Sequence, residues 1–153
     1  MRTELTSRDR ALCIREIALS DAEAAARLSE ELGYPASPDE MEKRIRQLAN
    51  LAEHAVYVAC TARSVIGWID VGVVHHLQAE PYAEIGGLVI SSEFRSLGIG
   101  KTLVAQAEQW ARDRGIAKMV VRSRIAREAA HRFYLREGYE RTKTSAVFSK
   151  ALE

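Results

Sequence analysis

Arg95-Ser-Leu-Gly98-Ile-Gly100-Lys101-Thr102 joins an apolar segment ending near Ser91 to the clearest helical pattern in the chain. From Ile99 to Arg114, the residues Ile99, Leu103, Val104, Ala107, Trp110 and Ala111 recur at helical spacing, and Gly115 stands where the helix should stop. A strand that passes through a glycine-containing loop into a helix start has a chemical consequence. The first amides of the helix lack partners within it, the dipole there is positive, and glycine lets a ligand approach without a Cβ in the way. The segment therefore predicts an anion site.

The elements around this loop alternate in type. Leu12 to Ile17 reads as a short strand. Ser20-Asp-Ala-Glu23 reads as a capping box opening a helix to Leu32 that Gly33 closes. Ser37-Pro-Asp-Glu40 is a second capping box, with proline at the first helical position and Met41, Ile45, Leu48 and Ala49 behind it at helical spacing. His54 to Cys60, Val65 to His75 and Ala83 to Ser91 are rich in Val, Ile, Tyr and Trp, which predicts consecutive antiparallel strands, the first two as a hairpin. Met119 to Ser123 is a further strand, Arg127 to Glu137 a helix ended by Gly138, and Tyr139 to Lys150 a final strand pair. This order belongs to the α/β or α+β class.

Composition narrows the function classes. A chain of 153 residues, 47% hydrophobic and 28% charged, fits one globular domain, here residues 1–153, without linkers or repeats. Its 22 basic and 21 acidic side chains leave a net charge of +1, so no broad field draws it to nucleic acid or anionic lipid, and an anionic ligand must be held locally. Met1 to Arg10 has no apolar core and the most apolar stretch, Val65 to Val74, is interrupted by Asp70, which argues against a signal peptide or a membrane span and for a cytoplasmic protein. Cys13 and Cys60 lie far apart in apolar runs and read as buried, reduced thiols rather than a metal or redox pair.

Three families of phosphate-binding loop can be told apart here. A Walker A loop needs glycine five residues before the Gly-Lys-Thr of Gly100 to Thr102, where Arg95 stands. A dinucleotide fingerprint starting at Gly98 needs a small residue where Leu103 stands, and an acidic residue about twenty positions on, where arginine and serine occur. Arg-x-x-Gly-x-Gly resembles the acyl-CoA pyrophosphate loop of the GNAT superfamily of N-acetyltransferases. Leu88-Val-Ile90 resembles the strand before that loop, Ala130-His-Arg-Phe133-Tyr134 with Glu137-Gly138-Tyr139 resembles the family's C-terminal helix and turn, and the element order matches from Leu12 to about Lys150. The resemblance implies a central mixed, mostly antiparallel sheet flanked by helices.

It also implies roles. Arg95, Ser96, Leu97, Gly98, Ile99, Gly100, Lys101 and Thr102 would cradle the pyrophosphate of acetyl-CoA, the acyl-donor cosubstrate, while the backbone of Leu88, Val89 and Ile90 would receive its pantetheine arm and acetyl carbonyl. Gly86-Gly87 within that strand suggests a bulge or a close backbone approach. Tyr134 matches the family's tyrosine acid, which would protonate the departing thiolate. Glu84 is the candidate base for the amine and, absent a bulge, shares a strand face with Leu88 and Ile90. The asparagine that relatives often carry before the last helix is missing from Ser123-Arg-Ile-Ala-Arg127.

Adjacent strand histidines such as His75 and His76 point to opposite faces, which argues against a metal site, and His131 stands at helical spacing from Tyr134. Neither cysteine sits in a cationic setting that would activate it, so direct transfer in a ternary complex is expected rather than an acetyl-enzyme. The expected activity is acetyl transfer to a primary amine of a small molecule, peptide or protein. The alternative is a noncatalytic acyl-CoA-binding or regulatory domain. Acceptor contacts are expected around Gly33 to Pro35 and Leu77 to Tyr82, with Glu30, Glu31, Glu53 and Glu80 suited to a cationic polyamine or aminoglycoside. A homodimer is expected by family analogy alone.

Overall fold

The computed structural model describes residues 11–153; the reading of Met1 to Arg10 as lacking a signal sequence lies outside the described residues. The chain forms two compact units, one running to Val121 and one from Arg122 onward. The first holds a five-stranded sheet in simple order: β1 (Cys13–Glu16), β2 (His54–Cys60), β3 (Val65–His76), β4 (Ala79–Ile90) and β5 (Met119–Val121). β1 to β4 pair antiparallel, whereas β5 lies parallel to β4, as a strand that returns through a helix must. The helices of this unit are α1 (Ala22–Leu32), α2 (Pro38–Ala49) and α3 (Ile99–Asp113).

Two layers flank the sheet. The α3 stripe of Ile99, Leu103, Val104, Ala107, Trp110 and Ala111 is buried, and Leu103 lies against Gly67 on the sheet face that also carries Ile69 and Val71. A Cβ at Gly67 would stand 2.9 Å from the Val89 carbonyl oxygen, a backbone atom held in the sheet, so glycine is needed there. On the opposite face Trp68 donates its indole N–H to the Ala25 carbonyl of α1 at 3.3 Å, and Ala25, Ala26 and Leu28 are buried. Burying such side chains stabilises the fold by about 1.5 to 3 kcal/mol each for the larger aliphatic ones.

The capping expectations divide. Ser37 caps α2 as expected, its Oγ accepting the Glu40 N–H at 3.1 Å. The box at Ser20 does not form. A single 3-10 turn over Leu19–Asp21 precedes α1, and Asp21 Oδ2 accepts the Ala18 N–H at 2.7 Å instead. The expected strand pair over Tyr139 to Lys150 is also absent: the segment has no ladder, and residues 140–153 are exposed throughout. An isolated strand has nothing to satisfy its amides but water. Cys13 and Cys60 are free thiols as expected, but Cys13 is exposed and Cys60 half-buried, so the expected burial does not hold, and register makes these sequence-distant residues direct partners across β1 and β2.

The second unit contains α4 (Glu128–Arg136), which ends at Gly138 in the left-handed region with φ 90°. Among the described residues no helix is long and apolar enough to cross a membrane.

Candidate active site

The centre of the site is a register shift in β4. Asp70 pairs with Gly87 but the next residue, Val71, pairs with Ile85, leaving Gly86 as an extra residue. In such a bulge both residues opposite the single partner point to one side. A Cβ at Gly86 would meet the Asp70 carboxylate and one at Gly87 the Trp68 ring, so both glycines face the α1 side. Strand alternation puts Glu84 on one face with Leu88 and Ile90 only where no bulge intervenes, and the bulge suggested by Gly86-Gly87 is present. It overturns the shared face: Glu84, opposite Gly72, shares the α1 side with Gly87 and Val89, while Leu88, opposite Ile69, and Ile90, opposite Gly67, face the α3 side.

The same shift opens the strand. β4 is paired with β5 only over Ala83, Glu84 and Ile85, so beyond the bulge the edge from Gly86 to Ile90 has no strand partner on that side among the described residues. An edge without a neighbouring strand can pair with an extended ligand, although the Ile90 carbonyl at its end already accepts from Arg95. Beyond Ile90 the chain makes a 3-10 turn over Ser92–Phe94, and Arg95 Nε donates back to the Ile90 carbonyl at 3.3 Å. The Ser92 N–H donates to Glu31 Oε1 at 3.3 Å, which ties the end of α1 to this turn.

Gly98 is the cap residue of α3, at φ 80° with no side-chain cap. Ser96 also lies in the left-handed region, at φ 65°, a conformation that costs a serine about 1 to 2 kcal/mol. The Gly98 carbonyl accepts both the Thr102 N–H and the Thr102 hydroxyl, whereas Ile99 turns its side chain into the core. Arg95, Ser96, Leu97, Gly98, Lys101 and Thr102 are exposed. The first turn of α3 holds no acidic residue, and Arg95 and Lys101 near it are exposed, a composition that suits a pyrophosphate at the helix start.

Two residues of this face were not singled out as functional from sequence. His54 of β2 lies opposite Gly72, its ring over the glycine, where a Cβ would stand 2.7 Å from Nδ1. His54 Nε2 is 2.7 Å from Asp70 Oδ1, although out of hydrogen-bond alignment. The signal available was a carboxylate, Asp70, in the middle of an apolar strand. His75 bonds Glu53 at 2.8 Å and His76 bonds the Tyr82 hydroxyl at 3.3 Å; among the described residues no cluster suits a metal.

In the second unit, Tyr134 lies edge-on to both Phe133 and Tyr139, with ring centroids at 5.2 and 5.7 Å. Burial pushes its phenol above the ordinary tyrosine value, opposed by the charge of Arg127, so at neutral pH it holds its proton. His131 is bonded through Nε2 to the Arg124 carbonyl at 2.9 Å.

Comparison with known proteins gives the family and the fold. Residues 14–139 match the Acetyltransferase (GNAT) family. The chain is 30% identical over 145 residues to the aminoglycoside N(6')-acetyltransferase type 1 of Stenotrophomonas maltophilia, covering 92% of this chain and 94% of that one. It is 37% identical over 128 residues to the aminoalkylphosphonate N-acetyltransferase of Salmonella typhimurium, covering 82% and 78%. In fold it is similar to the aminoglycoside N-acetyltransferase AAC(6')-Iy solved with CoA, with a TM-score of 0.82 at 18% identity over 92% of this chain and 95% of that one.

Proposed function

Because the chain belongs to the GNAT family of acetyltransferases, and so uses acetyl-CoA to acetylate an amine, we propose that its acceptor is a cationic small molecule of the aminoglycoside type. The observation that carries this reading is the α1-side face of the sheet, where Glu84 and Asp70 stand beside the unpaired stretch of β4. Two carboxylates there suit an ammonium acceptor better than a phosphonate-bearing one. The relation to the Stenotrophomonas enzyme over 94% of its length supports the same choice.

In this reading the eight residues from Arg95 to Thr102 hold the pyrophosphate and the backbone of Leu88, Val89 and Ile90 holds the pantetheine arm. Acetyl-CoA supplies the acetyl group. Glu84, directly or through a water, takes the proton of the acceptor ammonium so that the free amine can attack, and Tyr134 returns a proton to the sulfur that leaves. Transfer is direct, since the thiol pKa of Cys60 is raised, chiefly by burial, and is thus unsuited to a nucleophile.

The unit of function is residues 1–153 as one domain, and acetyl-CoA, made and consumed inside cells, makes the cytoplasm its location. A homodimer completes the reading: Val147, Phe148 and Leu152 are 87%, 92% and 88% exposed, apolar surface suited to a second copy, and light scattering tests it. For the activity, the protein is mixed with acetyl-CoA and, in turn, neamine, 2-aminoethylphosphonate or a lysine peptide, and free thiol is followed. Neamine should release thiol fastest. Tight acetyl-CoA binding with no turnover on any amine would favour the noncatalytic acyl-CoA-binding or regulatory domain.

A further inference from the structure

Asp70 is an unusual residue to find in the middle of β3. It interrupts an apolar strand, sits only half-buried, and its Oδ1 lies 2.7 Å from His54 Nε2 without an aligned hydrogen bond. That nitrogen is itself buried and has no hydrogen-bond partner. Polar groups in such positions are normally satisfied, so a carboxylate and an imidazole that are close yet poorly bonded leave bonding capacity for something else.

Two glycines border the pair, and a third makes room for the neighbouring Trp68. Gly72 has no Cβ where the His54 ring lies, Gly86 none at 3.1 Å from Asp70 Oδ1, and Gly87 none where Trp68 packs. Gly86 is exposed, so the carboxylate borders an open notch created by the bulge. The notch adjoins the unpaired β4 edge, and Glu84 lies on the same face, opposite Gly72.

We propose that Asp70 is a second acceptor-binding residue, which holds an ammonium or hydroxyl group of a polyamine substrate in the Gly86 notch while the His54 ring, 2.7 Å behind the carboxylate, limits how it can turn. The acceptor would then be held at two points, one amine presented for acetylation beside Glu84 and another polar group on Asp70. His54 is a positioning residue, because its Nε2 is covered. This rests on the proposed aminoglycoside-type acceptor.

The test uses neamine and the full chain, with calorimetry of neamine in the presence of CoA and steady-state rates with acetyl-CoA. Asp70→Asn should weaken neamine binding and raise its KM by about 10- to 100-fold, the loss expected for a hydrogen bond to a charged group, with the KM for acetyl-CoA unchanged. His54→Gln should move the neamine KM in the same direction by less, and Asp70→Glu should recover part of the loss. Melting curves check that each variant folds, and Gly86→Ala, which crowds the notch from the other strand, gives a route that leaves Asp70 in place. If Asp70→Asn and Gly86→Ala both bind and acetylate neamine as wild type does, the inference is wrong while the proposed function stands. If wild type neither binds nor acetylates neamine, the aminoglycoside reading fails and takes this inference with it.

Discussion

Arg15 grips Asp21 with both guanidinium nitrogens, Nη1 to Oδ2 at 2.7 Å and Nη2 to Oδ1 at 2.9 Å, and so joins β1 to the turn that starts α1. The Asp21 side chain is only 7% exposed, while that of Arg15 is 41% exposed. The Arg15 hydrogen bond, aided by the Ala18 amide, holds the Asp21 carboxyl below the usual carboxylate range against the opposing effect of burial. A depressed folded-state value means stability that is present above the unfolded pKa and lost as pH falls through the folded one. Asp21→Asn should therefore destabilise by about 1 to 3 kcal/mol at neutral pH, discounted for the exposed arginine. Urea melts of the two proteins should converge as pH drops from about 5 towards about 2; a constant gap would show that the pair does not govern stability.

The start of α3 yields a second expectation. Gly98 holds φ 80° with open space where a Cβ would go, so an alanine there is penalised by backbone conformation and not by a clash. Gly98→Ala should cost about 1 kcal/mol of stability and Gly98→Asn less, since asparagine tolerates the left-handed region. If pyrophosphate binds the amides here, Arg95→Ala should weaken acetyl-CoA about tenfold by calorimetry and leave the melting temperature nearly unchanged. Equal affinity would remove Arg95 from the site.

Tyr134 carries a kinetic prediction. A phenol kept protonated by burial can donate to a thiolate across the neutral range and fails only once pH exceeds its raised pKa. Tyr134→Phe should lower kcat by about 100-fold or more and leave the acetyl-CoA dissociation constant within about twofold. An unchanged kcat would reduce Tyr134 to a packing residue between Phe133 and Tyr139.

The parts of this fold that follow local rules could be read from the sequence. The α3 stripe, the Gly33 and Gly115 helix ends, the Ser37 cap and the β2–β3 hairpin each depend on a few neighbouring residues, and they formed where expected. Among the parts that depend on register, the Gly86-Gly87 pair did signal a bulge, but the contacts that the register creates could not be read. One extra residue at Gly86 moved Leu88 and Ile90 to the other face from Glu84, and only pairing across β2 and β3 brought His54 to Asp70 and β1 pairing brought Cys13 to Cys60. The Tyr139 to Lys150 strand pair failed for a related reason, because alternation in a sequence does not supply a neighbour to bond with. The turn from β4 into α3 was therefore legible and the two faces of β4 were not.

The last prediction concerns how the bulge is held in place. A Cβ at Gly87 would lie 2.9 Å from Trp68 Cζ3 and 3.0 Å from Cη2, the outer carbons of the indole, and the same indole donates its N–H to the Ala25 carbonyl. Gly87→Ala must then displace a packed ring and strain its bond to α1, at a cost of about 1 to 3 kcal/mol. Trp68→Phe removes the outer ring and the donor together, and should cost about 2 kcal/mol alone by loss of packing and of that hydrogen bond. Because phenylalanine lacks the carbons that alanine would strike, the double variant should be more stable than the sum of the two losses implies, by about 1 kcal/mol. Denaturant melts of the four proteins measure the coupling. Simple additivity would mean that Gly87 is kept for the backbone of the bulge and not for the space it leaves to Trp68.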